Sequence, residues 1–170
     1  MHALVWIIED TWQATIAQAA AYLPVDAEIT LLHVADTEAE AVARAARHGL
    51  LGRHAPVHAQ EDQLRAISEQ AAAELLSDAQ STLGRPARCE ARRGRVEREV
   101  VAATEDIDIL ILARDGDRAH LGPRSIGPAA RFVIDHAPCR VLLIWPDPAP
   151  PLTTIPPPPE QPPPPSAQSH

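Results

Sequence analysis

Residues 107–130 bring together the side chains and backbone groups best suited to hold an anion. An apolar run over residues 107–113 leads into a loop containing Gly116 and Gly122. Gly127 and Pro128 then open an apolar-periodic segment, with glycine where a helix cap belongs and proline at the first helical position. Strand, loop and helix start in that order converge backbone N–H groups on one point, where the positive end of the helix favours a phosphate or a carboxylate. Ala129 and Ala130 offer such N–H groups, and Arg114, Arg118, Arg124 and Ser125 are side-chain donors close by in sequence. Pro128 offers neither an N–H nor a hydroxyl. A hydrogen bond to a charged group is worth ~1.5–3 kcal/mol, or roughly one to two powers of ten in affinity, so the proline weakens any phosphate site at this position.

Other reactive residue types fall into less productive patterns. Asp10 ends the first apolar run where a helix N-cap belongs, and Gln13 three residues later completes a capping box. His54 and His58 are four apart, but Pro56 between them spoils the helical geometry a metal pair needs, so a solvated loop is expected. His33 and His136 have no serine, cysteine or paired carboxylate nearby in sequence, and no phosphate-binding P-loop pattern is present, so no enzyme is expected. Cys89 and Cys139 have neither metal-ligand spacing nor the density of a disulfide framework, and are expected to be reduced, buried and apolar in role. The arginines 85, 88, 92, 93, 95 and 98 form one basic stretch without interleaved aromatics, which suits a charged edge strand better than an RNA surface.

Several elements must position the loop. With 45% hydrophobic residues the chain supports one core, and the proline-dense stretch after Pro146 stands apart from it. Expected strands cover residues 4–8, 27–34, 87–92, 107–113 and 139–145. Helical periodicity marks residues 12–23, a short helix within 37–49, a long helix from Leu64 to Gly84, the segment around Val96, Val100 and Val101, and the segment opened by Gly127. That alternation predicts an α/β fold: an open five-stranded, mostly parallel, Rossmann-like sheet with helices on both faces. Ligands of such sheets bind at the carboxyl ends of the strands where the strand order reverses. The predicted organisation is a domain over residues 1–146 and a disordered proline-rich tail over 147–170, which is expected to be dispensable for folding. A net charge of −8 argues against a general nucleic-acid or anionic-membrane surface, and the lack of a long apolar run or signal sequence leads us to expect a cytoplasmic protein.

The chain resembles the universal stress protein family over residues 3–146. Four stretches carry the resemblance: the strand ending in Asp10, the strand Leu31-Leu32-His33-Val34, the turn at Gly94, and above all Gly127 through His136-Ala137-Pro138-Cys139 into the last strand. The resemblance implies the strand order 3-2-1-4-5, a homodimer paired through Val141 to Trp145, and in one branch ATP held by a loop of pattern G-x2-G-x9-G-[ST]. Asp10 would lie by the adenosine pocket, and Val34 would contact adenine through its backbone. The loop departs from the pattern. Without a gap, Asp117 and Arg114 fall on the first two glycines; with one inserted residue the match becomes Ala113-x2-Gly116-x10-Gly127, and Pro128 replaces the final Ser or Thr. The resemblance leads us to expect a stress-response protein that binds ATP or AMP as a regulatory ligand through this degenerate loop, using Asp10, Val34, Ala113, Arg114, Gly116, Gly127, Pro128 and Ala129. The alternative is a dimeric stress protein that holds no nucleotide and acts through protein contacts.

Overall fold

The computed structural model describes residues 1–37 and 57–157, with side chains of the second stretch from residue 62 onward. Its elements are β1 (His2–Trp6), α1 (Trp12–Tyr22), β2 (Glu28–Asp36), α2 (Val57–Leu83), β3 (Arg88–Gly94), α3 (Val96–Ala103), β4 (Ile109–Ala113), α4 (Pro128–His136) and β5 (Arg140–Ile144). Single 3-10 turns cover Pro123–Ser125 and Leu152–Thr154. The strands form one sheet in the order β3-β2-β1-β4-β5, as expected, and every neighbouring pair is parallel.

A strand in the middle of such a sheet needs apolar side chains on both faces, and β1 supplies them by alternation. Ala3 and Val5, with Ile7 beyond the strand end, point to one face, where Ile16 and Ala19 of α1 and Leu76 and Ala79 of α2 pack against them. Leu4 and Trp6 point to the other face, against Val100 of α3 and Ala130 and Val133 of α4. The register places Val5 opposite both Leu31 and Ile111, so the three central strands share one buried layer on each face.

The two sheet edges differ. Arginines on β3 and just after it form ion pairs: Arg92 Nε lies 2.6 Å and Arg88 Nη2 3.7 Å from the Glu90 carboxylate, and Arg95 Nη2, beyond the strand, lies 3.1 Å from that of Glu97. Arg85 donates to the Pro24 carbonyl at 2.7 Å. The basic stretch is thus largely neutralised along its own edge, in keeping with a charged edge strand. β5 forms the other edge with Val141, Leu142 and Leu143 only half-buried.

Several local expectations change. Asp10 does not cap α1; the cap position is Thr11, because the Ile8 carbonyl accepts both the Thr11 and Trp12 N–H groups at 3.0 and 2.9 Å and closes the turn one residue later. Cys89 is exposed and Cys139 half-buried rather than both buried, because each lies on or beside an edge strand. α2 starts at Val57, ahead of the first apolar-periodic position, Leu64, which is itself exposed. The short helix expected within residues 37–49 and the loop holding His48 and His54 lie outside the described residues, as does the His58 side chain. Among the described residues no helix is long and apolar enough to cross a membrane, and no group of metal-ligating side chains forms.

Leu110 on β4 is fully buried between β1 and β5. Leu110→Ala is expected to destabilise the fold by about 2–5 kcal/mol, measured by urea unfolding followed by tryptophan fluorescence.

Candidate functional site

The chain crosses from β1 to β2 and β3 on one side, then returns to place β4 and β5 on the other. The order therefore reverses between β1 and β4, and the turn after β1 meets the loop after β4 at the carboxyl end of the sheet. Ala113, fully buried, is the last residue of β4 and pairs with Ile144. Arg114 continues the ladder by donating its N–H to the Ile144 carbonyl at 3.0 Å.

From Arg114 onward the loop is held by its own groups. The Arg114 guanidinium donates from Nη1 to Ser125 Oγ and lies over the Trp145 ring, 4.5 Å from its centroid. Burial lowers its pKa, although a guanidinium stays charged at any physiological pH. Ser125 is fully buried and donates its hydroxyl to the Gly122 carbonyl at 2.6 Å. Gly116 donates to the Ser125 carbonyl at 3.1 Å and Asp117 to the Arg124 carbonyl at 2.8 Å, so the two arms of the loop are zipped together. A side chain on Gly116 would lie 2.2 Å from the Arg124 carbonyl oxygen, so only glycine permits this approach. At the tip, the Ala119 N–H and then His120 hold the Asp117 carboxyl below its ordinary pKa, which favours the closed tip wherever that carboxyl is ionised.

The start of α4 is already occupied. The Gly127 N–H donates to Asp115 Oδ1 at 2.7 Å, and both carboxylate oxygens lie 2.9 Å from where a Cβ on Gly127 would stand. Glycine is needed here for close approach, since its φ of −66° is open to any residue. A carboxylate at this position satisfies a helix-terminal donor and favours the helix dipole by ~0.3–1 kcal/mol. Pro128 follows at the first helical position, as expected, and Arg131 on the first turn donates back to the Pro123 and Ile126 carbonyls.

Three of the proposed side-chain donors, Arg114, Arg118 and Ser125, are thus engaged within the chain. Arg114 is bound to Ser125 and Trp145, and Arg118 pairs with Asp147 at 3.2 Å. Gly116 is zipped to Ser125, and Gly127 faces Asp115. Ala129 stands half-buried one residue beyond Pro128. Asp10 is exposed in the turn after β1. Val34 is buried in β2, and its backbone faces the β1 side with the parity of Leu32, whose carbonyl accepts the Ile7 N–H at 2.8 Å. β1 ends opposite Leu32, so the Val34 peptide groups point past the strand end into the crevice. Asp115 is the residue sequence reasoning missed. Its only sequence signal is an acidic residue just after a strand and ahead of a glycine helix cap, and a pairing across twelve residues leaves no periodicity to detect. His33 and His136 serve the scaffold: their Nδ1 atoms lie 3.0 and 2.8 Å from the Ile7 and Phe132 carbonyls, and His136 stacks on Phe132.

Comparison with known proteins agrees with this architecture. The model of the universal stress protein family matches residues 9–144. Among solved structures, the universal stress protein UspA from Lactobacillus plantarum is 18% identical with a TM-score of 0.54, the alignment covering 85% of this chain and 97% of that one. A hypothetical protein whose biochemical function was assigned from its structure is 18% identical with a TM-score of 0.59, over 85% and 94% of the two chains. A universal stress protein in complex with cAMP is 12% identical with a TM-score of 0.51, over 86% and 98%. No curated protein matches in sequence.

Gly127→Ala should drive a methyl group against the Asp115 carboxylate and cost about 1–3 kcal/mol. Combined with Asp115→Ala the penalty should fall well short of the sum of the two single changes, because the clash is gone; a double-mutant cycle by urea unfolding measures it.

Proposed function

Because the chain belongs to the universal stress protein family, we propose that it is a cytoplasmic stress-response protein that acts as a pair of identical chains through protein contacts, without holding ATP. The observation that carries this reading is the Asp115 carboxylate seated on the Gly127 N–H at 2.7 Å. An incoming phosphate would have to displace a charge-assisted hydrogen bond worth ~1.5–3 kcal/mol and would meet a carboxylate of its own sign. It would also find no N–H at Pro128, and the Arg114 guanidinium already committed to Ser125 and Trp145. No residue is assigned a catalytic step.

The pairing rests on β5. Its outer edge carries backbone donors and acceptors beside half-buried Val141, Leu142 and Leu143, and its one charge, the exposed Arg140, stands at the start of the strand, leaving Val141 to Ile144 without a charge to keep a second copy away. Trp145, grouped with this edge on sequence grounds, lies beyond the strand and packs on Arg114. The pairing surface is therefore Val141 to Ile144.

A second reading keeps an adenine ligand. The Val34 backbone pointing past the end of β1 favours it, as does the cAMP complex of a structurally similar protein. In this reading the base and sugar supply the affinity, and AMP binds at least as well as ATP.

Titration calorimetry separates the readings. The wild-type chain should give no heat of binding with ATP. Pro128→Ser alone should leave it unchanged, and Asp115→Asn with Pro128→Ser should produce measurable ATP binding. Micromolar ATP binding by the wild type would overturn the main reading, whereas binding of AMP in preference to ATP would favour the second.

Sedimentation velocity tests the pairing. The wild type should run as a dimer at micromolar concentration, and Leu143→Lys should shift it to monomer by placing a charge in the edge. A wild type that stays monomeric at every concentration would sink the assembly.

A further inference from the structure

Beyond β5 the chain does not leave the domain at once. Asp147 pairs with Arg118 at 3.2 Å, and Thr154 Oγ1 accepts the Leu121 N–H at 3.0 Å. Pro156 lies over Gly122, its ring 3.7 Å from where a Cβ on that glycine would stand. All three anchors fall on the tip of the loop that closes the α4 start. They extend past the boundary at residue 146 expected from composition, while residues 158–170 lie outside the described residues.

We propose that residues 147–156 are a strap whose docking keeps the loop between Asp115 and Ile126 zipped. The strap is ordered to do this. The Thr154 N–H and hydroxyl both donate to the Pro151 carbonyl, at 2.9 and 2.8 Å, and the Ile155 N–H donates to the Leu152 carbonyl at 3.1 Å. With its only proton on Pro151, the Thr154 hydroxyl presents its lone pairs to Leu121, so it can act only as an acceptor there. Prolines 148, 150, 151, 156 and 157 restrict the backbone on either side and lower the entropy lost on docking.

The contacts run inward without a break. Leu121 and Gly122 are held by the strap, and the Gly122 carbonyl receives both the Ser125 hydroxyl and the Ser125 N–H. Ser125 in turn receives the Gly116 N–H and the Arg114 guanidinium. Gly116 adjoins Asp115, whose carboxylate sits on Gly127. Loosening the tip therefore loosens the zip, and the state of the loop depends on what holds the tail. One partly exposed ion pair, one hydrogen bond and one ring contact form a latch weak enough to open. This inference does not depend on whether nucleotide binds.

The test uses the full-length chain carrying Asp147→Asn and Thr154→Val, which remove two anchors and keep the size of both side chains. Amide hydrogen exchange is followed residue by residue by NMR. The Leu121 amide should exchange about tenfold faster or more. So should those of Gly116 and Asp117, whose own acceptors are the untouched carbonyls of Ser125 and Arg124, while Val5 and Ile111 in the core keep wild-type rates. If Leu121 alone loses protection, the tail merely rests on the loop and the proposal is overturned. Acceleration shared equally by Val5 and Ile111 reports global unfolding and overturns it as well. ATP binding by the wild type, which would defeat the proposed function, leaves this expectation in place.

Discussion

A parallel sheet covered on both faces is the constraint from which the rest of this molecule follows. Parallel neighbours cannot be joined by a tight turn, so each connection crosses a face and lays a helix there. Both faces must then be apolar, which is why β1 and β4 are almost unbroken runs of Ala, Leu, Val and Ile. The same constraint fixes where anything can bind. With α1 and α2 on one face and α3 and α4 on the other, the faces are closed, and the open ground is the carboxyl end between β1 and β4.

At that end the protein has met a helix-terminal demand from its own chain. A helix start leaves N–H groups without intrahelical partners. A bound anion can satisfy that demand; here Asp115 does so at the Gly127 N–H, at 2.7 Å. Ser125 is the busiest, with its hydroxyl and carbonyl linking Gly122, Arg114 and Gly116. Two glycines of the loop serve this closure: Gly116 lets two backbone arms approach, and Gly127 makes room for a carboxylate.

How much of this was legible in the sequence depended on range. Apolar runs and helical spacing gave the order of elements and the sheet, and Gly127-Pro128 marked the start of α4 to the residue, because caps are local. The strand order was legible only through family resemblance, since the choice of side for β4 depends on packing across the whole domain. Asp10 was one residue from the true cap, because turn closure at Ile8 depends on where the β1–β2 ladder stops. The contacts that define the candidate site were not legible at all. Asp115 to Gly127, Arg114 to Trp145 and Leu121 to Thr154 join residues far apart in sequence and carry no period or motif. Composition likewise set the stretch after Pro146 apart but was silent on individual polar contacts such as that of Thr154.

The unlike edges of the sheet set a limit on growth. β3 ends the sheet with a ladder of arginine and glutamate already matched to each other, whereas β5 ends it with aliphatic residues. Attaching one molecule's β5 to another's β3 would set the aliphatic run from Val141 to Ile144 against ion pairs that would have to be stripped of water. Such a sheet has a valence of one. Any association through its apolar edge uses that edge up on both molecules, so it terminates as a closed pair and cannot continue into a filament, however high the concentration rises under conditions that crowd the cell.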